Sequence, residues 1–231
     1  LVEKGVISFD EVKERKRFLF ELLESPDRDV RLRIWDSYWI ENLINEGIIT
    51  PEEVRQERQY LLELLKSEDE RIRDLARGQV FYRFISMGLI TRDDSSFFLS
   101  LLETHDKNVR SGAWLHVDDL IEKNIVTADE VKERKRFLFE LLESPDRDTE
   151  SRAWSSARAL IDMGLITRED SGFFLELLDY PNESVRLNAW ENIGYLVSKG
   201  IVTPEEVKER SYYFLELLES GDESVRSDAW W

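Results

Sequence analysis

A run of twenty residues, DEVKERKRFLFELLESPDRD, occupies positions 10–29 of this 231-residue chain and returns letter for letter at 129–148. Self-similarity of this kind marks a repeat architecture, in which no unit can bury its own apolar face and each is sheltered by its neighbours. Looser versions fill the rest of the chain. Aligning Ser25, Ser67, Thr104, Ser144, Tyr180 and Ser220 gives intervals of 42, 37, 40, 36 and 40 residues. That period outweighs the length, which alone would allow one large domain or two average ones. The expected organisation is a single array over residues 1–231, with turns near those six positions and incomplete first and last repeats.

Each repeat opens on the same device. A glycine or its substitute (Gly5, Gly47, Gly88, Asn124, Gly164, Gly200) is followed by two apolar residues and then by Ser8, Thr50, Thr91, Thr127, Thr167 or Thr203. Three residues beyond each hydroxyl stands an acid, namely Glu11, Glu53, Asp94, Glu130, Asp170 and Glu206, which is the capping box of a helix N-terminus. Pro51 and Pro204 at the first helical position agree with it. Apolar residues then recur at helical spacing, as in Val12, Leu19, Leu22 and Leu23, echoed by Val54, Leu61, Leu64 and Leu65. The first helix is expected to run unbroken from hydroxyl to turn. That stretch spans 17 residues in four repeats and 13 in the two that start at Thr91 and Thr167. The difference is about one helical turn, so the buried stripe stays in phase. Leu1-Val2-Glu3-Lys4-Gly5 matches Leu196–Gly200, and Ala229-Trp230-Trp231 stops partway along a second helix, so the chain is expected to be a piece of a longer array.

Past each turn come Val30, Ile72, Val109, Thr149, Val185 and Val225. Next stand Arg31, Arg73, Arg110, Glu150, Arg186 and Arg226, and three further on Ile34, Ala76, Ala113, Ala153, Ala189 and Ala229. Asp-x-x-Val-Arg-x-x-Ala after a Leu-Leu pair, recurring along essentially the whole chain, resembles the HEAT repeat. The resemblance implies an all-α fold, a right-handed α-α superhelix (HEAT-like solenoid) of about six two-helix repeats of 36–42 residues. It also implies that the small residue lets paired helices approach closely. The turn Asp and the Arg are expected to form a polar ladder between neighbours, doubtful in repeat four, where Thr149 and Glu150 depart from the pattern. Trp35, Trp114, Trp154, Trp190 and Trp230 share one position, with Arg77 as the exception. A residue present in nearly every unit is a property of stacking, so these five are assigned to the core rather than to an aromatic ladder for a ligand.

Site chemistry is thin. With 49 acidic against 32 basic residues the formal net charge is -17, which repels phosphate backbones and anionic lipid surfaces; nucleic acid and membrane are not expected as partners. No apolar run reaches the roughly 20 residues of a bilayer span. The chain has no cysteine, which excludes disulfides and thiolate metal sites and suits a reducing, cytoplasmic location. The abundance of Glu, Lys and Arg resembles a thermophile's usage. His105 and His116 do not make a metal centre, and no phosphate loop or nucleophile elbow is present. The clusters Lys13–Arg17 and Lys132–Arg136 are interrupted by Glu14 and Glu133 and read as solvated faces. No catalytic, cofactor or metal site is therefore expected, and the protein is not expected to be an enzyme.

Among HEAT-like enzymes, deoxyhypusine hydroxylases carry paired His-Glu motifs that do not occur here, and alkylpurine glycosylases need a basic groove. A bilin-lyase-like enzyme or accessory subunit stays open as an alternative, as does a self-associating structural repeat protein. The expected function is a non-catalytic protein- or peptide-binding scaffold. In HEAT-like stacks the second helices line the inner face, where the helical wheel turns Asp36, Trp39, Asp74, Phe81, Leu115, Asp118, Glu191 and Tyr195 away from the core, with Arg158 as a lone base. That apolar and acidic mixture suits a helix or extended peptide with apolar anchors and basic flanks.

Overall fold

The computed structural model describes residues 8–230, and every regular element among them is helical. The chain divides into two compact units, Leu1–Phe98 with Asp119–Val126, and Leu99–Asp118 with Thr127–Trp231. In chain order the helices are α1 (Phe9–Lys13), α2 (Lys16–Leu23), α3 (Arg28–Ile34), α4 (Ser37–Asn45), α5 (Pro51–Glu57), α6 (Gln59–Leu62), α7 (Glu70–Gln79), α8 (Ser95–Leu102) and α9 (Lys107–Trp114). They continue as α10 (Val117–Glu122), α11 (Ala128–Lys132), α12 (Lys135–Leu142), α13 (Arg147–Asp162), α14 (Ser171–Leu177), α15 (Glu183–Ser198), α16 (Pro204–Lys208), α17 (Ser211–Leu218) and α18 (Glu223–Ala229). Successive helices pair, α2 with α3 in the first unit, and α12 with α13, α14 with α15 and α17 with α18 in the second. No described helix is long and apolar enough to cross a membrane. The expectation for Leu1–Gly5 lies outside the described residues, as does Trp231.

The local signals build what they promise. All six hydroxyl-acid pairs close as capping boxes. Gly47, Gly88, Gly164 and Gly200 adopt φ between 66° and 72°, and Asn124 takes 57°, the left-handed conformation that ends a helix. At Gly88, for example, the following amide of Leu89 donates back to the Phe84 carbonyl at 3.0 Å, closing a Schellman turn.

The first helix, in contrast, is not continuous in the long repeats. It breaks between α1 and α2, between α11 and α12, and between α16 and α17, where Arg15, Arg134 and Arg210 sit near φ -104° and ψ 0°. The break frees a carbonyl one turn back, and the same arginine fills the gap. Arg15 Nη1 donates to the Glu11 carbonyl at 2.7 Å, Arg134 Nη1 to Glu130 at 2.9 Å and Arg210 Nη1 to Glu206 at 3.3 Å. The extra four residues thus form a separate short helix held by a side chain.

The polar ladder is also built differently from the expectation. The turn Asp residues (Asn182 in repeat five) cap their own second helices, as Asp27 does toward Asp29 and Val30. In repeats two, five and six the following Arg stays within its repeat, Arg73, Arg186 and Arg226 donating to the carbonyls of Ser67, Tyr180 and Ser220 at 2.6, 3.1 and 2.5 Å, while Arg110 crosses to Glu140 of the next repeat at 3.0 Å. Neighbouring repeats are also joined at the capping boxes, where the acid receives a cation from the repeat before. In the first unit Lys16 reaches Glu53 at 2.5 Å and Arg58 reaches Asp94 at 2.7 Å; in the second, Lys135 reaches Asp170 at 2.5 Å and Arg168 reaches Glu206 at 2.6 Å.

The shared tryptophans fasten the two helices of one repeat. Nε1 of Trp35, Trp114, Trp190 and Trp230 donates to the carbonyl twelve residues back, at 3.0, 3.1, 3.1 and 3.3 Å. Trp35 and Trp114 are fully buried and Trp154 nearly so, Trp190 is half-buried, and Trp230 is 69 % exposed. Assigning Trp230 to the core is therefore corrected. The ring at this position is covered by the following repeat, as Phe84 covers Trp35 and Phe214 covers Trp190, and no described residue follows Trp230.

Candidate functional site

In the first unit an apolar trough of about 710 Å³ opens between the two helices of repeat one. Its floor is Val12, Leu19, Ile34, Leu43 and Ile48, Trp39 stands on it, and Glu11, Arg15, Lys16 and Arg33 form the rim. The counterparts of Val12 and Leu19 in the next repeat, Val54 and Leu61, are fully buried, whereas Val12 and Leu19 are half-buried. Ile34 occupies the position that is alanine in the other five repeats, and its added bulk lies in the open trough.

The helix break places the tryptophan. The second helix stops at Trp35 and restarts at Asp36, whose carboxylate accepts from the Tyr38 and Trp39 amides at 3.0 and 3.3 Å. The Ser37 amide then donates to Gln79 Oε1 at 2.9 Å, tying the restarted helix to α7. Tyr38 and Trp39 are left 71 % and 63 % exposed. A second hollow of about 530 Å³ shares Trp39 and Arg33 with the trough and adds Leu32, Tyr38 and Leu75. Contiguous exposed apolar surface of this kind is what interaction sites present. On the rim, Lys16 is held by Glu53 and Arg15 by the Glu11 carbonyl, while Arg33 makes no hydrogen bond or ion pair among the described residues.

The second unit holds a polar cleft along α13, α15 and α18. It has two lobes of about 230 and 170 Å³, and Arg147, Glu150, Asn188 and Glu191 line both. Glu150 is 2 % exposed. Its Oε1 accepts from Trp154 Nε1 at 3.2 Å and its Oε2 accepts from Asn188 Nδ2. Trp154 consequently abandons the carbonyl bond of the other tryptophans. Burial pushes the Glu150 carboxyl up to about 8, helped by the charge of Glu191 and opposed by the Trp154 bond and Arg147. Glu191 is also raised, by burial first and then by Asp228.

The wheel-derived residues divide between the units: Asp36, Trp39, Asp74 and Phe81 in the first, Leu115, Asp118, Glu191 and Tyr195 in the second. Phe81 does not face outward. It is 6 % exposed and packs on Phe98 at 5.8 Å between ring centres. The cause is a π-helical turn at Val80–Phe84, which shifts the face by one residue where the wheel assumes a uniform helix. Asp36 is spent on its cap, and Asp74 pairs with buried Arg77. Leu115 closes α9 and is half-buried, and Asp118 is exposed on α10. Glu191 lines the cleft, as does Arg158, whose guanidinium donates twice to Asn192 Oδ1. The Tyr195 hydroxyl donates to Asp162 Oδ1 at 2.8 Å, and the residue is half-buried. His116 is buried and His105 exposed, and among the described residues no group of three or more His, Cys, Asp or Glu could hold a metal ion.

No protein-family model matches the chain, and no curated protein matches it either. Solved structures similar to it include a designed armadillo repeat protein, at 17% identity and TM-score 0.45 over 92% of this chain and 96% of that one. Two engineered proteins from the Northeast Structural Genomics Consortium match at 16% identity. One has a TM-score of 0.44 over 95% of this chain and 94% of its own, the other 0.43 over 95% and 96%.

Proposed function

We propose that this chain is a non-catalytic helical-repeat scaffold, a single array over residues 1–231, that receives an amphipathic helix of a partner protein in the trough at Trp39. The observation that carries this reading is a trough of about 710 Å³ with an apolar floor beside a tryptophan that is 63 % exposed. Rim-exposed charges steer a partner more than they bind it. On the rim Lys16 is paired with Glu53 and Arg15 lies near Glu14, which leaves Arg33 as the cation without a partner among the described residues and favours a helix that sets an acid opposite it. This trough thus differs from the second-helix face, whose apolar and acidic residues suit basic flanks.

A HEAT-like enzyme calls for a deep pocket with convergent polar groups and shifted carboxylates. The trough has polar groups only on its rim. The cleft in the second unit has the carboxylates, but neither lobe exceeds 230 Å³ and both oxygens of Glu150 are engaged.

The test uses 18-residue amphipathic peptides with a Leu/Ile face, flanked by Glu in one and by Lys in the other, titrated by fluorescence anisotropy. The Glu-flanked peptide binds the wild type more tightly, and Trp39→Ser weakens it at least about tenfold, the scale of a central aromatic anchor. Equal affinity for the variant, or preference for the Lys-flanked peptide, overturns the proposal. So does sedimentation showing a dimer that Trp39→Ser abolishes, which assigns the trough to a second copy of the chain.

A further inference from the structure

The twenty residues that occur twice in the chain stand in two different surroundings. At 129–148 they follow repeat three in the second unit, where Leu141 is fully buried and Phe137 half-buried. At 10–29 the same side chains lie open, Phe18 at 48 % and Leu22 at 43 % exposure. A difference between identical sequences comes from what lies against them.

The contacts that repeat three supplies are ionic and aromatic. Arg134 Nε pairs with Glu103 at 2.5 Å, and Arg110 pairs with Glu140 at 3.0 Å while its guanidinium lies 6.0 Å from the centre of the Phe137 ring. In the first unit Arg15 is held just as Arg134 is. Nη1 of each donates to the carbonyl four residues back and lies near the preceding glutamate, at 3.9 Å from Glu14 and 3.7 Å from Glu133. Among the described residues, however, no acid takes the place of Glu103 at Arg15, and no cation takes the place of Arg110 at Glu21.

Repeat six carries the same seat. Counted from the turns at Thr104 and Ser220, its Leu215, Glu219, Arg226 and Trp230 stand where repeat three has Leu99, Glu103, Arg110 and Trp114, identical at all four positions. Val225 and Ala229 are buried as Val109 and Ala113 are, so the two repeats are folded alike. Leu99 and Trp114 are buried, whereas Leu215 is 56 % exposed and Trp230 more so. Exposed apolar surface at the end of a repeat array is what a further repeat covers.

We infer that repeat six of one copy of this chain seats repeat one of a second copy, on the pattern of repeats three and four. Leu215 and Trp230 pack on Phe18 and Leu22, while Glu219 and Arg226 face Arg15 and Glu21. The two faces differ, so the contact is heterologous, and each added copy brings one free face of each kind. The inference goes beyond the trough reading and stands without it: of the four residues on repeat one, Arg15 alone also borders the trough at Trp39.

The experiment is sedimentation velocity of the full chain at concentrations up to about 500 μM, in about 0.15 M salt to screen the repulsion between copies of net charge -17. The average mass of the wild type rises with concentration. Phe18→Glu with Leu22→Glu blocks one face, and Leu215→Glu with Trp230→Glu blocks the other; all four positions are exposed, and near-UV circular dichroism reports whether each double variant is folded. Each double variant alone sediments as a monomer, and their equimolar mixture forms a one-to-one complex, since each keeps the face the other lacks. A wild type that stays monomeric throughout, a mixture that stays monomeric, or association that survives in either double variant overturns the inference. Loss of association in Trp39→Ser overturns it as well. The Leu215 and Trp230 double variant keeps its affinity for the Glu-flanked peptide, so failure here and failure of the trough reading are separately visible.

Discussion

Replacing Glu150 by glutamine leaves its shape and removes its charge, so stability measured against pH isolates what the buried carboxyl costs. The side chain is 2 % exposed, and its carboxyl titrates at about 8 in the folded chain against 4.5 when unperturbed. Below pH 4.5 both states hold the proton and the wild type suffers no penalty. Between there and pH 8 the unfolded chain releases its proton while the folded chain keeps it, so stability falls as pH rises, and above pH 8 the loss is complete. A gap of this size corresponds to about 5 kcal/mol at most, and relaxation around a charged Glu150 brings it to about 2–4 kcal/mol. Urea unfolding followed by circular dichroism at pH 5, 7 and 9 reads this directly. Glu150→Gln should be within about 1 kcal/mol of the wild type at pH 5 and more stable by about 2–4 kcal/mol at pH 9. A difference that does not change with pH would refute the reasoning, since it would mean that Glu150 is not a buried acid.

The tryptophan position offers a contrast within one chain. Trp114→Phe removes the bond to the Leu102 carbonyl from a fully buried site and should cost about 2–3 kcal/mol, while Trp230→Phe at an exposed site should cost under about 0.5 kcal/mol, both by urea midpoint. Gly88 lies at φ +68°, so Gly88→Ala should cost about 1–2 kcal/mol, whereas Gly194 inside α15 has open space around it, and Gly194→Ala should stabilise by about 0.5–1 kcal/mol. The Arg168 guanidinium, followed by the Thr203 amide, holds the Glu206 carboxyl down at about 2, giving stability that is present above pH 4.5 and lost as pH falls toward 2. Arg168→Met should therefore move the acid unfolding transition to higher pH, as read by circular dichroism.

Features that depend on a few consecutive residues were legible in the sequence. The capping boxes and the left-handed helix ends follow from chemistry within five or six positions, and they marked the repeats; the turn Asp residues, expected in a ladder, cap their own helices. What the sequence obscured depends on contacts between elements or on small departures from a uniform helix. The π turn at Val80–Phe84 turned Phe81 inward, which a wheel drawn at constant pitch cannot see; the same wheel turned Trp39 outward, where it stands, without showing the break at Asp36 that puts it there. The arginines that bridge the first-helix breaks looked like solvated charge, because their acceptors are carbonyls freed only by the break. Two signals were present and could have led further. Ile34 stands where every other repeat has alanine, which points to an open face. Glu150 replaces an arginine that is buried in repeats two, three and five, which marks a cleft and not merely a gap in a ladder.

The claim on which the functional account rests is that the trough around Trp39 holds a partner's helix. Photo-crosslinking tests it most directly: a benzophenone placed on the apolar face of the Glu-flanked amphipathic peptide is irradiated with the full chain, and adducts are mapped by mass spectrometry. The account predicts adducts concentrated on Val12, Leu19, Ile34, Trp39 and Leu43, competed away by unlabelled peptide. Adducts scattered over the surface, or concentrated on another face and insensitive to competitor, would contradict it.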